Sequence, residues 1–188
     1  MAVNARYIYN YLTSRGWSPT AVCGMLGNME TESTINPCIW QNLDSFNIEL
    51  GYGLVQWTPS TKFTDWCSVN NYDPAHMDSA LARIEWELAH GEQYYPTDAY
   101  PLTFAEFKVS SESASYLAQA FLLNYERPAN QDQPARSTQA EKWYNLLKGS
   151  EGGGGGDTPE PDELAPSRPR KRSTIPLWMI ITTTRKKV

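Results

Sequence analysis

Residues 152–156 are five consecutive glycines, and this run decides how much of the chain can fold around one core. Glycine gives up more backbone freedom on ordering than any other residue and brings no side chain to bury, so such a run is a flexible linker. An acidic, proline-rich stretch follows at residues 157–167, and then the basic run Arg168-Pro169-Arg170-Lys171-Arg172. Neither carries enough apolar surface to offset the entropy of ordering. A folded domain is therefore expected in residues 1–149, with 150–173 as a disordered linker and 174–188 as a short apolar-basic tail. The apolar part of that tail, Ile175-Pro176-Leu177-Trp178-Met179-Ile180-Ile181, falls far short of the ~20 residues of a membrane span.

Within the first 149 residues the pattern is mostly helical. Asn4 is a cap residue ahead of Ile8, Tyr11 and Leu12, and Gly16 ends that segment. Ser18-Pro19 is a cap followed by proline at the first helical position, and Val22, Met25, Leu26 and Met29 then recur at helical spacing up to Asn36-Pro37. Residues 37–60 change character, with Gly51, Gly53 and Pro59, and the stretch from Leu50 to Trp57 reads as a short strand or hairpin. Asp73-Pro74 opens a helix carrying Met77, Leu81, Ile84 and Leu88, which Gly91 closes. Thr103 and Glu106 have capping-box spacing. A helix with Tyr116, Leu117, Ala120 and Phe121 runs to Arg127-Pro128, and a last one spans Pro134 to Leu147. The fold class expected is α+β, mainly α, with a small β element.

Composition excludes several functions. A net charge of −5 is the wrong sign for a nucleic-acid binder. Three cysteines, Cys23, Cys38 and Cys67, are too few and odd in number for a disulfide scaffold, and buried reduced thiols are expected over a Cys38–Cys67 bridge. His76 and His90 are the only histidines, so neither a zinc site nor any cofactor is expected. The first ten residues lack a basic region followed by an apolar run, and no signal peptide is expected. Seven Trp and eleven Tyr suit either a large aromatic core or a surface for sugars or a protein partner.

One carboxyl stands out. Val22, Met25, Met29 and Glu32 are spaced 3, 4 and 3 apart and share one helix stripe. Glu30 lies about 160° around the helix and is expected in solvent. Glu32 is thus placed on the buried side, near the C-terminal end of its helix. Burial and the partial negative charge of that end both disfavour a carboxylate. A carboxylic acid that stays protonated near neutral pH suits cleavage of a glycosidic bond. From spacing alone, a solvated or backbone-capping glutamate fits as well.

The stretch Gly27-Asn28-Met29-Glu30-Thr31-Glu32-Ser33-Thr34-Ile35-Asn36-Pro37 resembles the Glu-Ser-x-x-Asn-Pro signature of the goose-type lysozyme and soluble lytic transglycosylase superfamily. Gly51-Tyr52-Gly53-Leu54-Val55-Gln56-Trp57 resembles its Gly-Leu-x-Gln segment, and Asn124-Tyr125-Glu126-Arg127-Pro128 falls where it places a tyrosine facing the sugar. Together the three, in this order, resemble the phage tail lysozyme family over about residues 3–148. Its better-known members are N-terminal domains of tail-tip wall-degrading proteins of small tailed phages of Gram-positive hosts, and they continue past a linker into a metallopeptidase. Residues after 149 contain no histidine with which to form one.

The resemblance implies a lysozyme-like fold with the β element lining a substrate cleft, and Glu32 as the catalytic acid cutting the MurNAc-GlcNAc β-1,4 bond of peptidoglycan. Ser33 is expected to hold the helix end. Gln56 would border the cleft and hydrogen-bond substrate or water. Tyr125 is expected to face the sugar, and Trp57 and Trp40 to stack on sugar rings or pack in the core. A hydrolase needs a second carboxylate. Asp44 is the favoured candidate, and Glu49, in the same loop, is expected to contact substrate. The superfamily's transglycosylases manage with one glutamate, because a substrate hydroxyl attacks. The expected function is a muramidase used for local wall degradation, carried in a virion tail or released at lysis. The alternatives are a lytic transglycosylase giving a 1,6-anhydro product and a non-catalytic wall-binding or structural tail component. For residues 174–188 the expected partners are other phage tail proteins, by strand addition, or an anionic membrane contacted through the basic runs and Trp178.

Overall fold

The computed structural model describes residues 1–45 and 47–148. The expected linker (150–173), the expected tail (174–188) and the domain end at Gly149 lie outside the described residues. Seven α-helices occur among those described: α1 (Ala2–Thr13), α2 (Pro19–Ser33), α3 (Thr61–Asn70), α4 (Met77–His90), α5 (Phe104–Val109), α6 (Ala114–Phe121) and α7 (Pro134–Leu147). The fold is mainly helical, and it is organised around α2.

Ser18 and Pro19 start α2 as their chemistry requires. Ser18 is extended, and its hydroxyl accepts the Ala21 N–H at 3.1 Å. Every residue from Ala21 to Met29 is buried, so α2 has partners all round, with α1, α6 and α7 packed against it. Two glycines allow the close crossings. A Cβ on Gly24 would stand 2.9 Å from the Leu117 carbonyl carbon on α6, and one on Gly27 would stand 2.3 Å from the Arg136 carbonyl oxygen on α7.

The enclosure of α2 corrects the expectation for Glu30. Instead of facing solvent it meets α7, where Trp143 Nε1 donates to it at 2.7 Å and Lys142 Nζ lies 3.2 Å away. Asn4 is corrected too. Helix α1 already begins at Ala2, and the Asn4 amide donates at 2.8 Å to the Ile35 carbonyl, tying α1 to the loop after α2. Asp73 opens a turn by accepting the Ala75 N–H at 2.9 Å, and α4 starts only at Met77 before Gly91, at φ +65°, ends it. The capping box of Thr103 and Glu106 forms at the start of α5 as its spacing predicts.

Helix α3 was not expected. Its cap residue, Ser60, is itself in helical conformation (φ −58°, ψ −26°) and makes no side-chain cap hydrogen bond, while its hydroxyl donates to the Ile48 carbonyl at 2.9 Å. The helix expected to run unbroken to Arg127 is α6 followed by a π-helical turn, Leu122–Glu126, that ends at Arg127 in a left-handed conformation. The expected strand or hairpin near residues 50–57 reduces to isolated bridges of Tyr52 with Trp40 and with Trp57. Gly53 at φ +86° and Gln56 at φ +48° interrupt the extended backbone that a ladder needs. Cys23 and Cys67 are buried free thiols, while Cys38 is a free thiol on the surface, not in the core.

Gly27→Ala forces the α2–α7 crossing apart, and overpacking of this kind costs about 1–3 kcal/mol. Urea unfolding of the variant is expected to show that loss, with little change in the denaturant slope.

Candidate active site

The C-terminal end of α2 opens on a cleft of about 660 Å³. It is lined by Glu32, the turn from Ile39 to Leu43 including Trp40, Gln56, Thr58, Glu126 and Pro128. A smaller adjoining cavity of about 260 Å³ shares Gln56, Thr58 and Glu126 with it. A volume of this size is within the range of small-molecule sites. Ser33 fixes the helix end to the facing loop, with its hydroxyl 3.0 Å from the Met29 carbonyl and 2.8 Å from that of Leu54.

Glu32 is not the uncompensated carboxyl the sequence suggested. Its side chain remains 21% exposed, and the buried Arg136 of α7 donates to it from Nη2 at 2.5 Å. The guanidinium gives this carboxyl a charge-assisted hydrogen bond. The other nitrogens of Arg136 are also engaged: Nη1 donates to Asn28 Oδ1 at 3.0 Å and Nε to Gln133 Oε1 at 2.7 Å. Asn28, itself buried, donates to the carbonyls of Gly24 and Ala118, so the arginine is held by a network joining α2, α6 and α7.

The cleft also holds the carboxyl of half-buried Glu126, which was not among the site residues expected from the sequence. It closes the π-helical turn, and its Oε1 is buried with no hydrogen-bond partner. Burial, first, and the neighbouring charge of Glu32, second, hold its pKa well above the ordinary carboxylate value; Arg136 and Arg127 oppose this, and Glu87 adds to it. The only sequence signal was position: a carboxyl at the end of an element, between the cleft tyrosine of the motif and Arg127-Pro128.

Behind the cleft wall lies a fully buried carboxyl, Glu87 of α4. It accepts hydrogen bonds from Trp57 Nε1 and Arg83 Nε, each at 2.9 Å, and from the Tyr125 hydroxyl at 2.5 Å. Burial raises its pKa, and these three donors pull it back. Tyr125 stays a phenol, since burial and the Glu87 charge push its pKa well up. Tyr125 is 1% exposed and Trp57 3%; both rings pack against the core, with Trp57 stacked on Phe63 and Tyr125 on Phe121, and both residues also line the smaller adjoining cavity.

Trp40 and Gln56 are in the lining. Trp40 is half-buried and tilted against Tyr52, with ring centroids 4.7 Å apart. Gln56 Nε2 donates to the carbonyls of Gly53 and Ile39 at 2.9 and 3.2 Å, which leaves its buried Oε1 without a partner. Asp44 and Glu49 are exposed, and neither is among the described residues that line the cleft. No group of three His, Cys, Asp or Glu among the described residues could hold a metal ion.

Residues 3–147 match a family described as phage tail lysozyme. Over 149 residues, 79% of this chain, the sequence is 57% identical to Morphogenesis protein 1 of Bacillus phage B103. The alignment covers 40% of that protein, so the chain spans well under half the length of the curated relative it matches.

Glu126 also has a measurable effect on stability. With its folded pKa raised above the ordinary 4.5, the unfolded chain loses this proton first as pH rises. Its contribution is therefore full below about pH 4.5 and declines as pH climbs toward the folded value. Glu126→Gln removes that decline. Urea unfolding is expected to show the variant gaining stability relative to the parent between pH 4.5 and pH 7.

Proposed function

The chain belongs to the phage tail lysozyme family, and on that premise we propose that it is a muramidase that cuts the MurNAc-GlcNAc β-1,4 bond of peptidoglycan with Glu32 as general acid. The observation that carries this reading is a partly exposed carboxyl, at the family's signature position, in the lining of a sugar-sized cleft. Glu32 delivers a proton to the glycosidic oxygen as the C1–O bond breaks, and the electron pair of that bond leaves with the oxygen. Water then supplies the hydroxyl to C1, which gives the hydrolysed sugar. Trp40 offers an apolar wall, and the unpartnered Gln56 Oε1 accepts a hydrogen bond from a substrate N–H or hydroxyl.

The relative's name, a morphogenesis protein of a phage, supports a virion component, and action on the wall during infection is part of the proposal. The described residues contain no helix long and apolar enough to cross a membrane. A role for residues 174–188 in docking to other tail proteins is part of the same proposal.

The decisive variant is Glu32→Gln. Loss of a general acid costs about 10²–10⁴-fold, so clearing of a Gram-positive wall suspension should fall at least a hundredfold; a parental rate would refute the assignment. Mass spectrometry of the released sugars checks the reaction class, with reducing muramic acid expected and the 1,6-anhydro form marking a lytic transglycosylase. Wall cosedimentation without clearing would instead mark a binding module. Deleting residues 150–188 is expected to leave clearing intact and weaken retention on particles.

A further inference from the structure

The larger cleft has a task in the muramidase reading, and the adjoining cavity of about 260 Å³ has none. The two differ in charge. The described lining of the larger cleft holds the carboxyls of Glu32 and Glu126 and no cation. The lining of the smaller one keeps Glu126 as its only acid and adds Lys62 and Arg127. In a chain of net charge −5, two cations at one small cavity call for a reason.

Neither cation is engaged by a carboxylate. Arg127 donates to the Gln93 and Asn124 carbonyls and lies 4.9 Å over the Tyr95 ring. Lys62 is exposed, and no ion pair joins it to a described carboxylate. It also stands in the first turn of α3, where the helix dipole disfavours a cation and no acidic residue offsets it. Both walls are fixed. Ser60 ties the start of α3 to the Ile48 carbonyl through its N–H and its hydroxyl, each at 2.9 Å. Gln93 donates to the Tyr125 carbonyl at 3.1 Å while its own carbonyl accepts from Arg127.

We propose that this cavity is the subsite for the acidic peptide substituent of muramic acid, with Lys62 and Arg127 taking its carboxylate. The inference rests on the muramidase reading and adds which form of the glycan the chain selects. Its basis is chemical. The muramic sugar at the bond being cut carries a lactyl ether on the same ring, and in intact wall a short peptide with carboxylates of its own is joined to that group through an amide. A substrate held for cleavage at Glu32 brings this substituent beside the acid, and the cavity shares Gln56, Thr58 and Glu126 with the cleft. Neutral sugar rings would leave both cations unmatched. The volume, below the roughly 300 Å³ at which whole small-molecule sites begin, suits a substituent. The raised pKa of Glu126, caused first by burial, agrees with this assignment because it weakens the one opposing charge in the lining.

Two measurements on the full chain test it. The first compares KM on soluble glycan strands, free of teichoic acid, that carry their peptides with KM on the same strands after an amidase has removed the peptides and left the lactyl carboxylate. Cleavage is followed as loss of strand length. The parent is expected to show the lower KM on peptide-bearing strands. Lys62→Met should shrink that preference about threefold, the size of one exposed ion pair, through KM and not kcat, and the effect should fade in high salt. Equal KM on the two substrates, or a loss in the variant that leaves the preference unmoved, overturns the subsite.

The second needs no turnover. Binding of both kinds of strand is measured with Glu32→Gln and with Glu32→Gln carrying Lys62→Met. Tighter binding of peptide-bearing strands, weakened by the lysine substitution, is expected, and equal binding overturns the subsite. If Glu32→Gln still clears walls while the Lys62-dependent preference persists, the subsite stands and the assignment of Glu32 as acid fails. If Glu32→Gln is inactive and no preference is found, the acid stands and the subsite fails.

Discussion

The buried guanidinium of Arg136 is the constraint around which the cleft is built. A cation out of water needs its hydrogen bonds satisfied and its charge balanced, and leaving it alone would cost several kcal/mol. Asn28, Gln133 and Glu32 together meet that need. They do so only because α7 lies close on α2, and that closeness depends on Gly27 having no side chain. The position of the Glu32 carboxyl is therefore set by helix packing in the core, not by a surface loop, which is how a site is kept rigid. The Asn28 amide carries the same network to α6 through the Ala118 carbonyl.

The opposite wall has its own buried anchor. Glu87 gathers the indole of Trp57, the hydroxyl of Tyr125 and the guanidinium of Arg83, joining α4 to the Gly-Leu-Val-Gln-Trp segment and to the π-helical turn. This explains why the rings of two aromatic residues within the motifs are almost wholly buried. Their polar tips satisfy a carboxyl in the core, and their rings fill the space behind the wall. What they position is the pair of residues beside them in the chain, Gln56 and Glu126, and both of these line the cleft.

How much of this the sequence disclosed follows from the kind of signal each part carries. Helices with local start signals were legible: Ser18-Pro19 for α2, the capping box for α5, and Pro134 for α7. Helix α3 was not, because its first residue's neighbour, Ser60, is in helical conformation and makes no side-chain cap hydrogen bond. Periodicity gave the angle between Glu30 and Glu32, but an angle does not say which side of a helix a later helix will cover. Here α7 covers the Glu30 side and also reaches Glu32. The π-helical turn defeats a 3.6-residue argument outright, since the wider turn re-aims the residues at its end. Glu126 is one of those residues.

Burial and ion pairing act on a carboxyl in opposite senses, and a sequence pattern that places a glutamate on a buried stripe cannot distinguish them. In the fold the cleft receives two half-buried glutamates with different surroundings. Glu32 meets the guanidinium of Arg136, while the buried Oε1 of Glu126 has no hydrogen-bond partner and burial raises the pKa of that carboxyl. Which glutamate meets which surroundings is decided by the helix that crosses α2 and by the π-helical turn, and neither is written in the spacing of either residue's own element.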